Sequence, residues 1–346
     1  MVCDNAHRFL KARTVFLIHV IRMRRYLSVL ILVPSLSFSQ TPNPEPAPSP
    51  SHPIPMANAP APRRASSMPG DIEHRIAHYD PSKVGHQTAV HDGAGSMSFG
   101  VMLGTDAVEP NLIFFHRGVI DPHSGIGQHF HNRCEEMFVI LNGEAQFTID
   151  GRTALIQGPA GVPDRMGHAH GIYNPTDKPL EWLNINVGMT KVYDAFNLGD
   201  SLEHQTLDPV PQFMNFKLDK TLLRPVNAMD GGQGTVSYRR ALPPTVFLTT
   251  WSYIDHLLIP PGASVGTRAL TGFAEAYYVT GGEGTVNLGA EKATIHMGDT
   301  IPVRLNESRA LVNTGSEPLE FLIVGVAKDM ATKEELMATP PPRGPR

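Results

Sequence analysis

Residues 123–143 read HSGIGQHFHNRCEEMFVILNG. Residues two apart on a β-strand face the same side, so His129 and His131 point one way. Glu136 is out of phase with them and needs an intervening turn, which Asn132-Arg133-Cys134 supplies. Glu136 to Leu141 is an apolar strand ending at Asn142-Gly143, a strong hairpin signal. Ala145 to Ile149 alternates and ends at Asp150-Gly151, a second such signal. Further on, GHAHGIYN puts His168, His170, Ile172 and Asn174 on one face of another strand. Imidazoles from His129, His131 and His170 with the Glu136 carboxylate suit a divalent Fe, Mn, Ni, Cu or Zn ion. Such a set leaves coordination positions open for a small-molecule substrate.

The same pattern occurs twice. Adding 139 to a number in the first half lands on its counterpart in the second. Met97-Ser98-Phe99 meets Val236-Ser237-Tyr238, Ile120 and Pro122 meet Ile259 and Pro261, and Gly143 and Glu144 meet Gly282 and Glu283. Pro179-Leu180-Glu181-Trp182-Leu183 meets Pro318-Leu319-Glu320-Phe321-Leu322. The register holds without a gap from about Met97 to Val187, which points to duplication of one β-rich domain. Short strands at this spacing indicate closed barrels or sandwiches. Two tandem barrels over 71–190 and 233–330 are expected, with a linker at 191–232 and a tail at 331–346. Within that linker FMNFKLDKTLL carries a helical period.

Before the barrels, Arg24 and Arg25 precede the apolar run Leu27 to Leu36 and the small residues Ser37-Phe38-Ser39. That is the layout of a signal peptide over 1–39, cleaved before Gln40, with Met23 as a candidate true start. The run is too short to span a membrane comfortably, so export to the periplasm or outside, with no retained anchor, is expected. Residues 40–70 alternate Pro with small residues and read as an extended linker; PPPRGPR at the end is similar. The net charge of −4 and the lack of a basic cluster exclude nucleic-acid binding through phosphate neutralisation. Of the two cysteines, Cys3 falls in the signal segment, so Cys134 stands alone and no disulfide forms. Cys134 reads as a small filler at a strand end.

These residues resemble the cupin superfamily, whose first motif is G-x5-H-x-H-x4-E-x6-G and whose second ends P-x-G-x2-H-x3-N. His129, His131, Glu136 and Gly143 match the first; Gly167, His170 and Asn174 match the second. His123 stands where the leading Gly is usual and Arg165 where the Pro is usual. The family tolerates Glu135 as the carboxylate ligand, but Glu136 alone has six residues between it and Gly143 and aligns with Glu275. The resemblance implies an all-β chain of two jelly-roll (double-stranded β-helix) barrels, a bicupin, which commonly pairs its barrels and can form homo-oligomers. In the second copy His129, His131 and His170 become Arg268, Leu270 and Arg309. Guanidinium groups lack lone pairs, so that barrel has lost its metal. Arg268 and Arg309 are expected to bracket Glu275, with Glu307 a further partner.

Cupins with this ligand set include ring-cleaving and flavonol dioxygenases, so the resemblance implies an oxygenase, with Glu136 taking the substrate proton. A lyase, isomerase or decarboxylase with His168 as base is the alternative. Oxalate-decarboxylating bicupins, though, keep ligands in both barrels. A third reading is a non-catalytic metal or ligand carrier. His123, Gln128, Arg165 and Tyr173 are candidate pocket residues, and His116 is expected to be structural.

Overall fold

The computed structural model describes residues 71–338. The expected signal peptide and Pro-rich linker, and the PPPRGPR end, lie outside the described residues. Each repeat folds into two facing antiparallel sheets. The first pairs a seven-stranded with a five-stranded sheet, the second a six-stranded with a four-stranded one. Strands Leu112–Ile120 and Cys134–Ile140 of the first repeat match Trp251–Ile259 and Phe273–Gly281 of the second.

Both faces of Cys134–Ile140 are covered, which explains its unbroken apolar run. Phe138 and Ile140 point into the first barrel with Phe147, Ile172 and Trp182. Met137 and Val139 point the other way, into a core shared with Trp251, Tyr278 and Val324 of the second barrel. The large sheets of the two barrels therefore pack face to face, burying apolar side chains at roughly 25 cal/mol per Å². Among the described residues no helix is long and apolar enough to cross a membrane.

The linker differs from its reading. FMNFKLDKTLL forms no α-helix: Phe216–Lys217 is a short strand and Lys220–Leu222 a single 3-10 turn. Asp219 caps that turn by accepting from Thr221 N at 2.8 Å, and tertiary pairing overrides the helical period. Phe216 pairs with Gly161 of the first barrel, while Ala77 bridges Thr300 of the second. Both pairs are related by the 139-residue offset, so the repeat reaches back at least to Ala77. Each repeat sends its N-terminal arm onto the other barrel. Ile72 and Ile76 accordingly join the second barrel's core, although they precede the first. The expected tail also differs, since Met330–Ala338 is a helix with Lys333 buried.

Candidate metal centre

His129, His131, Glu136 and His170 come together as four buried side chains whose ligand atoms lie within 4.8 Å of one another. Strand pairing sets this geometry: His129 faces His170 across the sheet. His170 Nε2 lies 3.1 Å from His129 Nε2 and 3.2 Å from His131 Nε2. His131 Nε2 is 3.3 Å from a Glu136 oxygen. The far nitrogens of His129 and His131 are committed elsewhere. His129 Nδ1 lies 2.8 Å from the Gly127 carbonyl and His131 Nδ1 2.6 Å from that of Asp194. Because carbonyls only accept, these contacts place the proton on Nδ1 and leave lone pairs on Nε2 aimed at one point. Burial foremost, then the neighbouring imidazoles, holds His129 and His170 well below the usual histidine range. Neutral imidazole is the form a metal takes. The donor set fits one divalent transition ion.

Glu136 is fixed by two amides, Asn184 donating to Oε1 at 2.7 Å and Asn186 to Oε2 at 2.8 Å. Both asparagines face inward from Leu180–Gly188, and Asn186 sits directly beside Glu136 in the sheet. Glu135 points oppositely. It crosses to the second barrel and accepts from Leu248 N, Thr249 N and Thr249 Oγ1 at 2.7–2.8 Å. Lys333 donates at 2.6 Å to the Phe247 and Thr249 carbonyls of the same loop.

His168 is not brought into this group. The strand starts at Ala169, so the alternation that orients His170 does not extend back to it. Its ring is exposed and bonds Asp150 at 2.6 Å. His123, also exposed, pairs with Asp177. Its φ of 53° explains why the family favours Gly there, and Gly262 at the equivalent place has φ 75°. Cys134 is buried among Asn186, Asp194 and His131, and burial raises its thiol pKa. It therefore stays protonated.

Several neighbours of the centre were not legible in the sequence. The His91 ring stacks on His129 at 3.9 Å and 8°. Its nitrogens meet Asn197 at 2.7 Å and the Tyr193 hydroxyl at 3.2 Å. Asp164 lies opposite Glu136 in the pairing, and neither of its oxygens has a hydrogen-bond partner. Burial first, then the charges of Glu136, Asp150 and Glu135, pushes its carboxyl up to about 9. Only the 139-residue offset hinted at His91, since its counterpart Asp230 also carries charge chemistry.

Beside the centre is a cavity with about 30 Å³ of space that the centre of a water molecule can occupy. Its wall includes Glu136, His91, Tyr193, His116, Asn184 and Trp182, with Phe99 and Phe114 among the apolar members. His123, Gln128, Arg165 and Tyr173 do not line it.

The profile of the cupin domain matches residues 116–186 and again 256–325. The chain is 32% identical over 99 residues to an oxalate-binding protein of Thermotoga maritima, covering 29% of this chain and 82% of that one. The chain belongs to the cupin superfamily. Among solved structures, an oxalate decarboxylase of Bacillus subtilis aligns with TM-score 0.53 and 16% identity, covering 73% of this chain and 76% of that one. A formate complex of the Lactobacillus farciminis oxalate decarboxylase aligns with TM-score 0.53 and 15% identity over 76% and 90% of the two chains. At these identities the likeness is one of fold: this is a bicupin.

Among the described residues the second cupin barrel gathers no such ligand group, and its side chains are arranged otherwise than expected. Arg268 and Arg309 do not bracket Glu275. Arg309 bonds Asp230 at 3.0 Å and the Tyr277 hydroxyl at 2.7 Å, while Arg268 lies 3.4 Å from Asp230. Glu275 instead accepts from Tyr253 and Tyr277, each at 2.8 Å. Asp230 occupies the place of His91, so the arm that stacks on a ligand in one barrel pairs with arginine in the other. Tyr253 and Tyr277 occupy the places of Phe114 and Phe138. Asn186 is replaced by Gly325, where a Cβ would lie 2.1 Å from the Tyr253 ring. Loss of that side chain seats the tyrosine, whose hydroxyl takes over the asparagine's bond. Glu307 pairs with Arg75 of the N-terminal arm at 2.6 Å.

Proposed function

We propose that the first barrel is a metal-dependent enzyme acting on a small chelating carboxylate of the oxalate class, breaking its carbon–carbon bond. The observation that carries this reading is the cavity of about 30 Å³ whose wall includes the ligand Glu136. A region of that size for water centres has room for a ligand of several heavy atoms beside Glu136, which a small chelating acid satisfies. The oxalate-binding relative supports the same substrate class.

A bound metal would supply Lewis-acid polarisation of the substrate's carboxylate. The chain's own residues do the rest. Backbone carbonyls hold His129 and His131 in one tautomer, and Asn184 and Asn186 hold Glu136 in one rotamer. Phe99, Phe114 and Trp182 give the cavity apolar walls. Hydrogen oxalate would yield carbon dioxide and formate. The carbon–carbon bond breaks, the proton passes to formate carbon, and no external oxidant is consumed. His168, exposed and paired with Asp150, is unsuited to be the base. We further propose that the protein acts outside the cytoplasm, which N-terminal sequencing of the native protein tests.

The main experiment follows carbon-13 oxalate by NMR with the Mn(II)-loaded protein, while an electrode records dioxygen. Equal formate and carbon dioxide without dioxygen uptake, abolished by His129→Ala or Glu136→Ala, is the expected result. Stoichiometric dioxygen uptake would instead identify an oxygenase. Tight binding without turnover would identify a carrier.

A further inference from the structure

His116 is 7% exposed, stacked on Phe114 at 4.0 Å and 7° and tilted against Phe99 at 5.0 Å. Its ring nitrogens make no hydrogen bond to any described residue, yet the residue lines the cavity that Glu136 also lines. Two other wall residues carry unpaired buried polar atoms, the Trp182 indole N–H and the Asn184 Oδ1. His116 and Asn184 are directly opposite one another in the sheet.

The second barrel is the internal control. There the position of His116 is Asp255, which accepts from Tyr238 at 2.8 Å and Arg240 at 2.9 Å. Tyr238 stands in place of Phe99. The barrel without the metal ligands satisfies this position internally, whereas the barrel with them leaves it facing a cavity. Buried polar groups are ordinarily paired, so two buried unpaired atoms, on Trp182 and Asn184, beside a His116 ring with no hydrogen-bond partner mark a place where something else completes them.

We propose that this wall is a subsite for an uncharged hydrogen-bonding group, so that the first barrel takes small monoanions bearing a carboxylate for the metal and a neutral amide or carbonyl for His116, Trp182 and Asn184. The inference rests on the carboxylate reading above and narrows it. Neutral imidazole offers one donor and one acceptor, indole a donor and the amide oxygen an acceptor. A carboxamide or an un-ionised carboxyl group complements that set. Burial drives His116 down to about 3, keeping it neutral, and no Lys or Arg lines the cavity. A second full negative charge would be desolvated without a counter-charge, at considerable cost.

Calorimetric titration of the Mn(II)-loaded full chain with oxamate, oxalate and acetate at pH 7.5 tests this. Wild type should favour oxamate over oxalate relative to their ratio for aqueous Mn(II). His116→Phe keeps the ring stack but loses both nitrogens. It should weaken oxamate about tenfold or more and leave acetate within twofold, with His116→Gln recovering most of the loss. Equal losses for oxamate and acetate, no loss for either, or a wild-type preference for oxalate beyond the aqueous ratio would overturn the subsite. If wild type binds none of the three, the carboxylate reading itself fails and takes the subsite with it.

Discussion

Asp164 gives the first barrel an unusual dependence on pH. An unfolded chain ionises this carboxyl near 3.8, but in the fold it stays protonated up to about 9. The folded state therefore holds one more proton than the unfolded state between those values. Stability contributed by this group is fully present below the unfolded pKa and is lost as pH rises, the reverse of a salt-bridged aspartate. The slope is at most about 1.4 kcal/mol per pH unit. Roughly three units separate the unfolded pKa from pH 7, so the cost there is roughly 4 kcal/mol. Urea unfolding of chelator-treated protein at pH 5, 6, 7 and 8 measures the slope. Asp164→Val places at this position the residue found at its counterpart, Val303, and should remove most of that slope while the wild type keeps it. Added Mn(II) should flatten the wild-type slope, because a nearby cation favours the carboxylate. Parallel slopes for wild type and Asp164→Val in the metal-free protein would refute the reasoning.

Three further outcomes are expected. Removing the amides that hold Glu136, with Asn184→Ala and Asn186→Ala, should weaken metal affinity about 10–100-fold in competition with a chelating dye. Phe114→Tyr together with Asn186→Gly rebuilds the second barrel's arrangement around Glu136. That pair should lower metal content sharply by elemental analysis, while Phe114→Tyr alone should fold worse because Asn186 still fills the space the ring needs. Lys333→Met leaves the Phe247 and Thr249 carbonyls unpaired between the barrels and should cost about 1–3 kcal/mol in chemical unfolding.

The ligand set was legible because its members follow local rules. His129 and His131 share a face by alternation, a turn separates them from Glu136, and the fixed offset to the second repeat singled out Glu136 over Glu135. Where alternation did not apply, the reading failed: His168 precedes its strand and faces solvent. The helical period of FMNFKLDKTLL failed too, since pairing of Phe216 with Gly161 outweighs propensity in so short a segment. Nothing nearby in the chain marks His116 as a cavity residue. Its place beside Asn184 arises from pairing between strands some seventy residues apart.

By itself the sequence determined the duplication, the β-barrel class, a metal-ligating set in the first copy and its replacement by Arg268, Leu270 and Arg309 in the second. Each depends on residue type and on spacing that can be counted along the chain, either within a motif or at the fixed 139-residue offset. Only the tertiary structure decided what surrounds that site. Cross-strand register set Asp164 beside Glu136 and His116 beside Asn184, and reciprocal arms carried each repeat's N-terminus onto the other barrel. It also placed Asp230 on Arg309 and two tyrosines on Glu275 in the second barrel. Alternation along a strand fixes which side chains face inward, but which distant strand it meets, and opposite which residue, is decided by the packing of segments far apart in the chain.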